Sequence, residues 1–236
     1  MLDRLHLALD RAVRTRIFSQ PPAKAFALSA YANAESGGEG RFFDYALARV
    51  TEARLRRMIE RHRDDEVRHA ALFAERRVAL GLPEVPVPAE LETVGLLSAA
   101  AGGILDRPAR DDGDVAEAFA LLLVVEERAL ALFDRSARVC AALGDLETAA
   151  LFTEIGADER RHLRYCEVIG REMVGEADFA ARVARLRVLE ARVYGEQSRG
   201  ILNHLLDRGW LTLPWWLEAL VRVRRPRPQL ALAAPQ

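Results

Sequence analysis

The chain has 236 residues, of which 50% are hydrophobic and 29% charged, enough for one large domain with a sizeable buried core. Its 34 basic and 35 acidic residues leave a formal charge of -1, so nothing in the balance argues for broad electrostatic capture of nucleic acid, and no nucleic-acid partner is expected. Cys140 and Cys166 fit neither a Cys-x-x-Cys knuckle nor a disulfide framework, and no apolar run approaches the roughly 18 residues of a membrane span, so a cytoplasmic protein without a signal peptide is expected.

Residues 2–17 read as a short amphipathic helix, closed by Ser19 and the Pro21-Pro22 pair, where proline suits the first turn of a new helix. That next helix is predicted over 22–49. Thr51 is the expected N-cap of a second, which runs through RLRRMIERHRDDEVRHAALFAERRVAL and stops at Gly81, with Pro83 beyond it. Between 82 and 113, Pro83, Pro86, Pro88, Pro108 and the run DDGD frame one short apolar piece, which reads as a long crossover connection. A third helix is predicted over 114–143. Gly144 and Asp145 supply a C-cap and the next N-cap, and a fourth helix follows over 146–174, ahead of Gly175. A further helix over 176–208 and a short final one in LTLPWWLEALVRV complete the reading. The prediction is an all-α chain: a single domain over 1–224, a four-helix bundle over 22–174 with an N-terminal helix before it and C-terminal helices over 176–224, and a disordered tail over 225–236.

The two hairpins carry an internal repeat. RDDEVRHAALF in the second helix and GADERRHLRYC in the fourth share Asp-Glu-x-Arg-His at the same place, as expected of a duplicated unit packed with pseudo-symmetry. In the second helix the inward stripe is Leu55, Ile59, His62, Glu66, His69 and Phe73; in the fourth it is Phe152, Ile155, Glu159, His162, Cys166 and Ile169. Each places Glu and His three residues apart on one side of the helix, in the middle of an apolar face. The third helix has the stripe Phe119, Leu122, Glu126, Leu130 and Phe133, while Glu127 aligns with the wet face. The first has Tyr31, Glu35, Phe42 and Ala46, with Glu39 close enough to substitute for Glu35.

The heights agree. Glu126 lies 18 residues before Gly144 and Glu159 lies 15 after it, so at about 1.5 Å per residue the two stand within roughly 5 Å along the bundle axis. Glu35 and Glu66 are almost symmetric about the Val50-Thr51 turn. Four carboxylates buried together require positive charge, because an unpaired buried ion costs several kcal/mol, comparable with the whole stability of a domain. Two divalent cations would cancel them, and two imidazoles complete an O/N donor set that suits iron or manganese. The competing reading is a metal-free helical interaction module whose acids are neutralised by Arg68 and Arg161.

With Glu from two helices and Glu-x-x-His from the other two, residues 22–174 resemble the ferritin-like superfamily of non-haem diiron carboxylate proteins. The resemblance implies a two-iron cofactor, with Mn/Fe as the alternative pairing, held by Glu35, Glu66, His69, Glu126, Glu159 and His162. Glu66 and Glu159 would bridge, and Glu35 and Glu126 would terminate one metal each. It further implies that Asp65 and Asp158 each orient a histidine of the opposite helix. The expected activity is that of an O2-activating oxidase or oxygenase on a small organic substrate, supplied with electrons by an external donor, in a monomer or homodimer. DERRHLRYCEV also looks like the last iron-binding helix of aldehyde-deformylating oxygenases, although the ligand spacings here are longer. Hydroxylases of modified tRNA bases share the scaffold, and the near-neutral charge disfavours them. A rubrerythrin-like or bacterioferritin-like ferroxidase or peroxidase is the alternative, and the absence of rubredoxin-type Cys pairs departs from it.

Around the six, His62 reads as a hydrogen-bonded core histidine or a pocket residue, and Tyr31 and Tyr165 as core aromatics or hydrogen-bonding groups at the site. Gly37, Gly38 and Gly40 would either open a cavity or bulge beside Glu35, or allow close packing. The Trp210–Trp216 tract with Arg222, Arg224, Arg225 and Arg227 reads either as a surface for peripheral membrane contact or as a cap on the bundle's open end.

Overall fold

A computed structural model describes residues 2–38 and 40–222. Glu39, Arg224, Arg225, Arg227 and the predicted tail over 225–236 therefore lie outside the described residues, as do the side-chain surroundings of Gly37 and Gly38. Every regular element among the described residues is helical.

Helix α1 spans Leu2–Ser19, and α2, Pro21–Asn33, opens on the two prolines as the sequence predicts. The helix expected over 22–49 is not continuous. It passes through a π-helical turn, Ala34–Gly38, and resumes as α3, Gly40–Leu47. The turn contains Glu35 and two of the three glycines, and π-turns tend to sit at functional sites because they re-aim side chains. At Gly40 an added Cβ would meet nothing within 4 Å, so close packing does not account for that glycine.

Helix α4, Ala53–Ala79, is capped by Glu52, not by Thr51: the Glu52 carboxylate accepts from the backbone N–H of Arg54 at 2.9 Å and of Leu55 at 2.7 Å. A side chain one methylene longer than Asp thus fills the role expected of the preceding hydroxyl. The crossover holds a short helix, α5, Thr93–Ala100, and is fastened to the rest of the molecule by Gln197, whose Nε2 donates to the Leu91 carbonyl at 2.7 Å and to the Thr93 hydroxyl at 2.6 Å. Helix α6, Asp112–Ala142, starts two residues earlier than predicted because Asp111 receives the Asp114 N–H at 2.9 Å; the DDGD run is cap rather than loop. Gly144 turns the chain at φ +81°, a backbone state disfavoured for residues with a Cβ, and Asp145 caps α7, Leu146–Val174. Helix α8, Glu176–Asp207, then doubles back so closely that a Cβ on Gly170 would lie 2.0 Å from the Phe179 ring.

Helices α2–α3, α4, α6 and α7 form the bundle, with α1 packed on α2 and α6, and α8 on α5, α6 and α7. This covering explains why α6 is buried at every residue from Val115 to Glu126 except Glu117, a stretch too apolar for one inward stripe. Helix α9, Trp215–Arg222, lies on α8 with Leu217 buried and Trp215 and Trp216 exposed. No described helix is long and apolar enough to cross a membrane.

The apolar interior has a gap at mid-height. Leu55 and Ile59 of α4, Val115, Ala116 and residues 118–125 of α6, and Cys166 and Ile169 of α7 belong to one packed cluster. Phe73, Phe133, Phe152 and Ile155 belong to another. On all three helices the residues between the two clusters are the charged ones.

Candidate metal centre

Glu35, Glu66, His69, Glu126, Glu159 and His162 are all buried, and the structure brings all six together. The helical period does this: Glu66 and His69 on α4, and Glu159 and His162 on α7, project into the same gap from facing helices. Two overlapping groups result, each with its ligand-type atoms within 4.8 Å of one another: Glu35, Glu66, His69 and Glu159 in one, His62, Glu66, Glu126 and His162 in the other.

The two central glutamates face both histidines. Glu66 places Oε2 3.3 Å from His69 Nδ1 and Oε1 2.9 Å from His162 Nδ1. Glu159 places Oε1 3.3 Å from His69 Nδ1 and Oε2 2.8 Å from His162 Nδ1. Glu35 stands on the His69 side, at 3.6 Å, and Glu126 on the His162 side, at 4.0 Å. The pattern has approximate two-fold symmetry, as the sequence repeat requires.

Both histidines turn Nδ1 to the centre and Nε2 outward, each to an aspartate of the opposite helix. His69 Nε2 is 3.4 Å from Asp158, and His162 Nε2 is 3.3 Å from Asp65. An acceptor there fixes one proton on Nε2 and directs Nδ1 at the gap, as the atom a metal would claim from its own proton. Arg68 and Arg161 close the layer: Arg161 reaches Asp65 and Asp158 at 2.7 Å each, and Arg68 bonds Asp158 and lies 3.5 Å from Asp65. These arginines neutralise the two aspartates. They are not the counterions of the four buried glutamates, so the arrangement gives the metal-free interaction module no support.

His62 is the residue whose place the sequence undervalued. It is 1% exposed, its Nε2 is 2.9 Å from Glu126 and 3.1 Å from Glu66, and its ring stacks on His162 with centroids 3.7 Å apart. It is hydrogen-bonded, as expected, yet it stands inside the centre. The signal was its spacing four residues before Glu66, one turn along the same face.

The protonation pattern shows how strongly the gap draws positive charge. Burial and the neighbouring His162 push the His62 imidazole well below its ordinary value, so it is neutral. Burial acts the same way on His162, but the Glu159 and Glu66 carboxylates outweigh it and raise this imidazole to about 10. Against burial, Glu159, Glu35 and Glu66 raise His69 as well. Despite burial, His162 and His69 hold Glu159 far below the usual carboxylate range. Two imidazolium charges against four carboxylates still leave an acidic pocket of mixed O and N donors. That donor set fits two divalent first-row cations.

The remaining candidates separate. Tyr31 lies beside the site: its ring stacks on Phe73 at 5.1 Å, and its hydroxyl reaches Ser136 at 3.4 Å. Tyr165 does not. It stands roughly 120° around α7 from Glu159 and lines an outer groove with Met58 and Arg61, neither in the core nor at the centre. Glu127 pairs with Arg187 on the outside. Gly38 belongs to the π-turn that carries Glu35.

A cavity of about 250 Å3 opens beside Glu35, between α1, α2, α6, α8 and the crossover. Its walls are mainly apolar, with Val13, Ile17, Phe26, Val125, Leu132 and Ile201 among the apolar residues and Arg14, Arg128 and Tyr194 among the polar ones. Sequence reasoning anticipated a space beside Glu35 but not Arg14 or Tyr194, since nothing in their spacing ties them to the ligands.

Fold and centre together define a helical bundle with side chains that could hold metal ions at mid-height. The family model of the ferritin-like domain matches residues 49–173, more than half of the sequence, and the chain belongs to that family. No curated protein and no solved structure matches. The match begins after Glu35, so the place of Glu35 rests on geometry alone.

Proposed function

We propose that the chain is a non-haem diiron oxidoreductase, an O2-dependent oxidase or oxygenase that acts on a small, largely apolar organic substrate. The observation that carries this reading is the apolar cavity at Glu35, just under the roughly 300 Å3 at which drug-sized ligand sites begin and therefore suited to a small molecule, and walled by helices outside the minimal bundle. Storage of iron has no use for such a space.

Glu66 and Glu159 would each offer one oxygen to either metal, Glu35 and Glu126 one carboxylate apiece, and His69 and His162 their Nδ1 atoms. His62 Nε2 is placed to serve as a third imidazole beside Glu126. A reduced iron pair, when bound, supplies two electrons to O2 and allows one oxygen atom to enter a C–H bond while the other leaves as water. The protein's part is to position and exclude. Asp65 and Asp158 hold the Nε2 protons, the Phe73, Phe133 and Phe152 cluster keeps water from one side, and the cavity brings the substrate against Glu35. An external donor returns the electrons.

The test is anaerobic Fe(II) loading followed by a pulse of O2 in the presence of small apolar compounds. The proposal expects about two irons per chain, a monomer or dimer in solution, and an oxidised organic product. Continued accumulation of ferric iron in a 24-subunit shell, with no organic product, would establish the ferroxidase alternative instead.

A further inference from the structure

The cavity beside Glu35 is electrically lopsided. Five acidic or basic residues line it: Asp10, Arg14, Glu35, Glu92 and Arg128. Arg128 is fully matched, because Glu190 accepts from its Nε and its Nη2 at 2.8 Å each while Tyr194 lies against its guanidinium at 4.2 Å. Glu92 accepts from the Asn33 amide at 3.1 Å, near the Glu35 end. Arg14 is different.

Its Nη1 donates to the Ser136 hydroxyl at 3.2 Å and its Nη2 to Asp10 at 3.1 Å. The same Asp10 carboxylate also faces Arg135 at 3.6 Å, so one acid serves two guanidiniums. Arg14 Nε is buried and has no hydrogen-bond partner among the described residues, although the side chain is only 11% exposed. A guanidinium that shares its one acid with a second arginine and otherwise meets only the Ser136 and Tyr31 hydroxyls is incompletely matched. It sits on α1, an element the bundle itself does not need.

Position along the bundle completes the argument. Arg14 is bonded to Ser136, ten residues beyond Glu126 on α6, which puts it about 15 Å along the helix axis from the centre. Between the two, the wall is mainly aliphatic and aromatic, with the Glu190-paired Arg128 as an exception. We infer that Arg14 anchors the acid group of the substrate, and that the cavity takes an apolar carboxylate whose body spans on the order of 10 Å, the helix distance less a hydrogen bond at one end and contact with the centre at the other. A carboxylate suits this end better than phosphate: it brings a single negative charge to a single surplus guanidinium, and its planar oxygens match the Arg fork. Glu92 and Glu35 favour the opposite orientation of the head group least, so the chain end is delivered to the metals.

This inference rests on the proposed function for its meaning, but its test reads binding alone. Calorimetric titration of the full-length protein, metal-free and metal-loaded and without O2, is made with decanoate, butyrate and 1-decanol. Decanoate is expected to bind once per chain, at least tenfold tighter than either comparison compound, in both metal states. Arg14→Met is expected to lower decanoate affinity at least tenfold and leave that for decanol within twofold. Equal affinity for acid and alcohol in the unaltered protein, which needs no variant to fold, would overturn the assignment. So would acid binding that survives Arg14→Met and disappears with the metals, which would make the metals the anchor. Failure here leaves O2 chemistry to be judged by its own assay, and failure of that assay leaves the acid preference measurable.

Discussion

Glu66→Ala separates a shared ligand from an ordinary buried acid. Glu66 belongs to both ligand groups, with one oxygen 3.3 Å from His69 Nδ1 and the other 2.9 Å from His162 Nδ1. Removing it takes a donor from both sides at once, so both metals should be lost, not one. At a free-metal concentration of about 100 times Kd, each site stabilises the folded state by about 2.7 kcal/mol, or about 5 kcal/mol for two. For a chain of this size, 1 kcal/mol moves Tm by about 2–4 °C, so loading should raise the Tm of the unaltered protein by roughly 10–20 °C. In Glu66→Ala the rise should vanish, while the metal-free Tm holds or increases, because one of four crowded carboxylates has gone. Glu127→Ala, on the Arg187-paired outer face, should keep the full rise. Differential scanning fluorimetry with and without Mn(II) or anaerobic Fe(II), alongside metal analysis, reads both quantities. A Glu66→Ala protein that keeps one metal and half the stabilisation would refute the shared role.

Asp65→Asn and Asp158→Asn should each weaken metal binding about 10–100-fold without unfolding the protein, since they release a ligand histidine and not a ligand; competition with a chromophoric chelator measures it. Because His162 is raised to about 10 and His69 is also raised, both carry a proton at neutral pH that a metal must displace. Calorimetry in buffers of different ionisation enthalpy should therefore find about two protons released per loaded chain at pH 7. Against burial, Lys24, Thr148 and Arg76 hold the Asp145 carboxyl below the usual aspartate range. Its folded-state value is the depressed one, so its stabilisation is present above pH about 4 and is lost as pH falls further. The Tm advantage of the unaltered protein over Asp145→Asn should shrink across that acid range and stay constant from pH 5 to 8. Burial pushes the Cys140 thiol up to about 12, so it should resist iodoacetamide at pH 8 until the protein is unfolded.

What the sequence disclosed follows its periodicities. The fourth helix was placed over the residues it occupies, Leu146–Val174, because Gly144, Asp145 and Gly175 punctuate it and its apolar stripe is unbroken. The six candidate ligands were brought together for the same reason: charge in the middle of a repeated stripe has one geometric consequence. Features that depend on tertiary neighbours were not legible. The π-turn at Ala34–Gly38 breaks a helix that propensity alone would only weaken at its glycines. For His62 the sequence leaves core histidine and pocket residue both open, since its partner Glu126 is on another hairpin. Tyr165 shares a helix with His162 but faces outward, and Arg14 meets the cavity only because α1 packs across α2 and α6.

The central claim is that four buried glutamates and their histidines exist to hold two metal ions. Anomalous diffraction at the iron edge, from crystals loaded anaerobically with Fe(II), tests it most directly. Two peaks about 3.5–4 Å apart between Glu66 and Glu159 are predicted. Density for neither ion there, with the glutamates instead paired to arginine or turned to solvent, would contradict it.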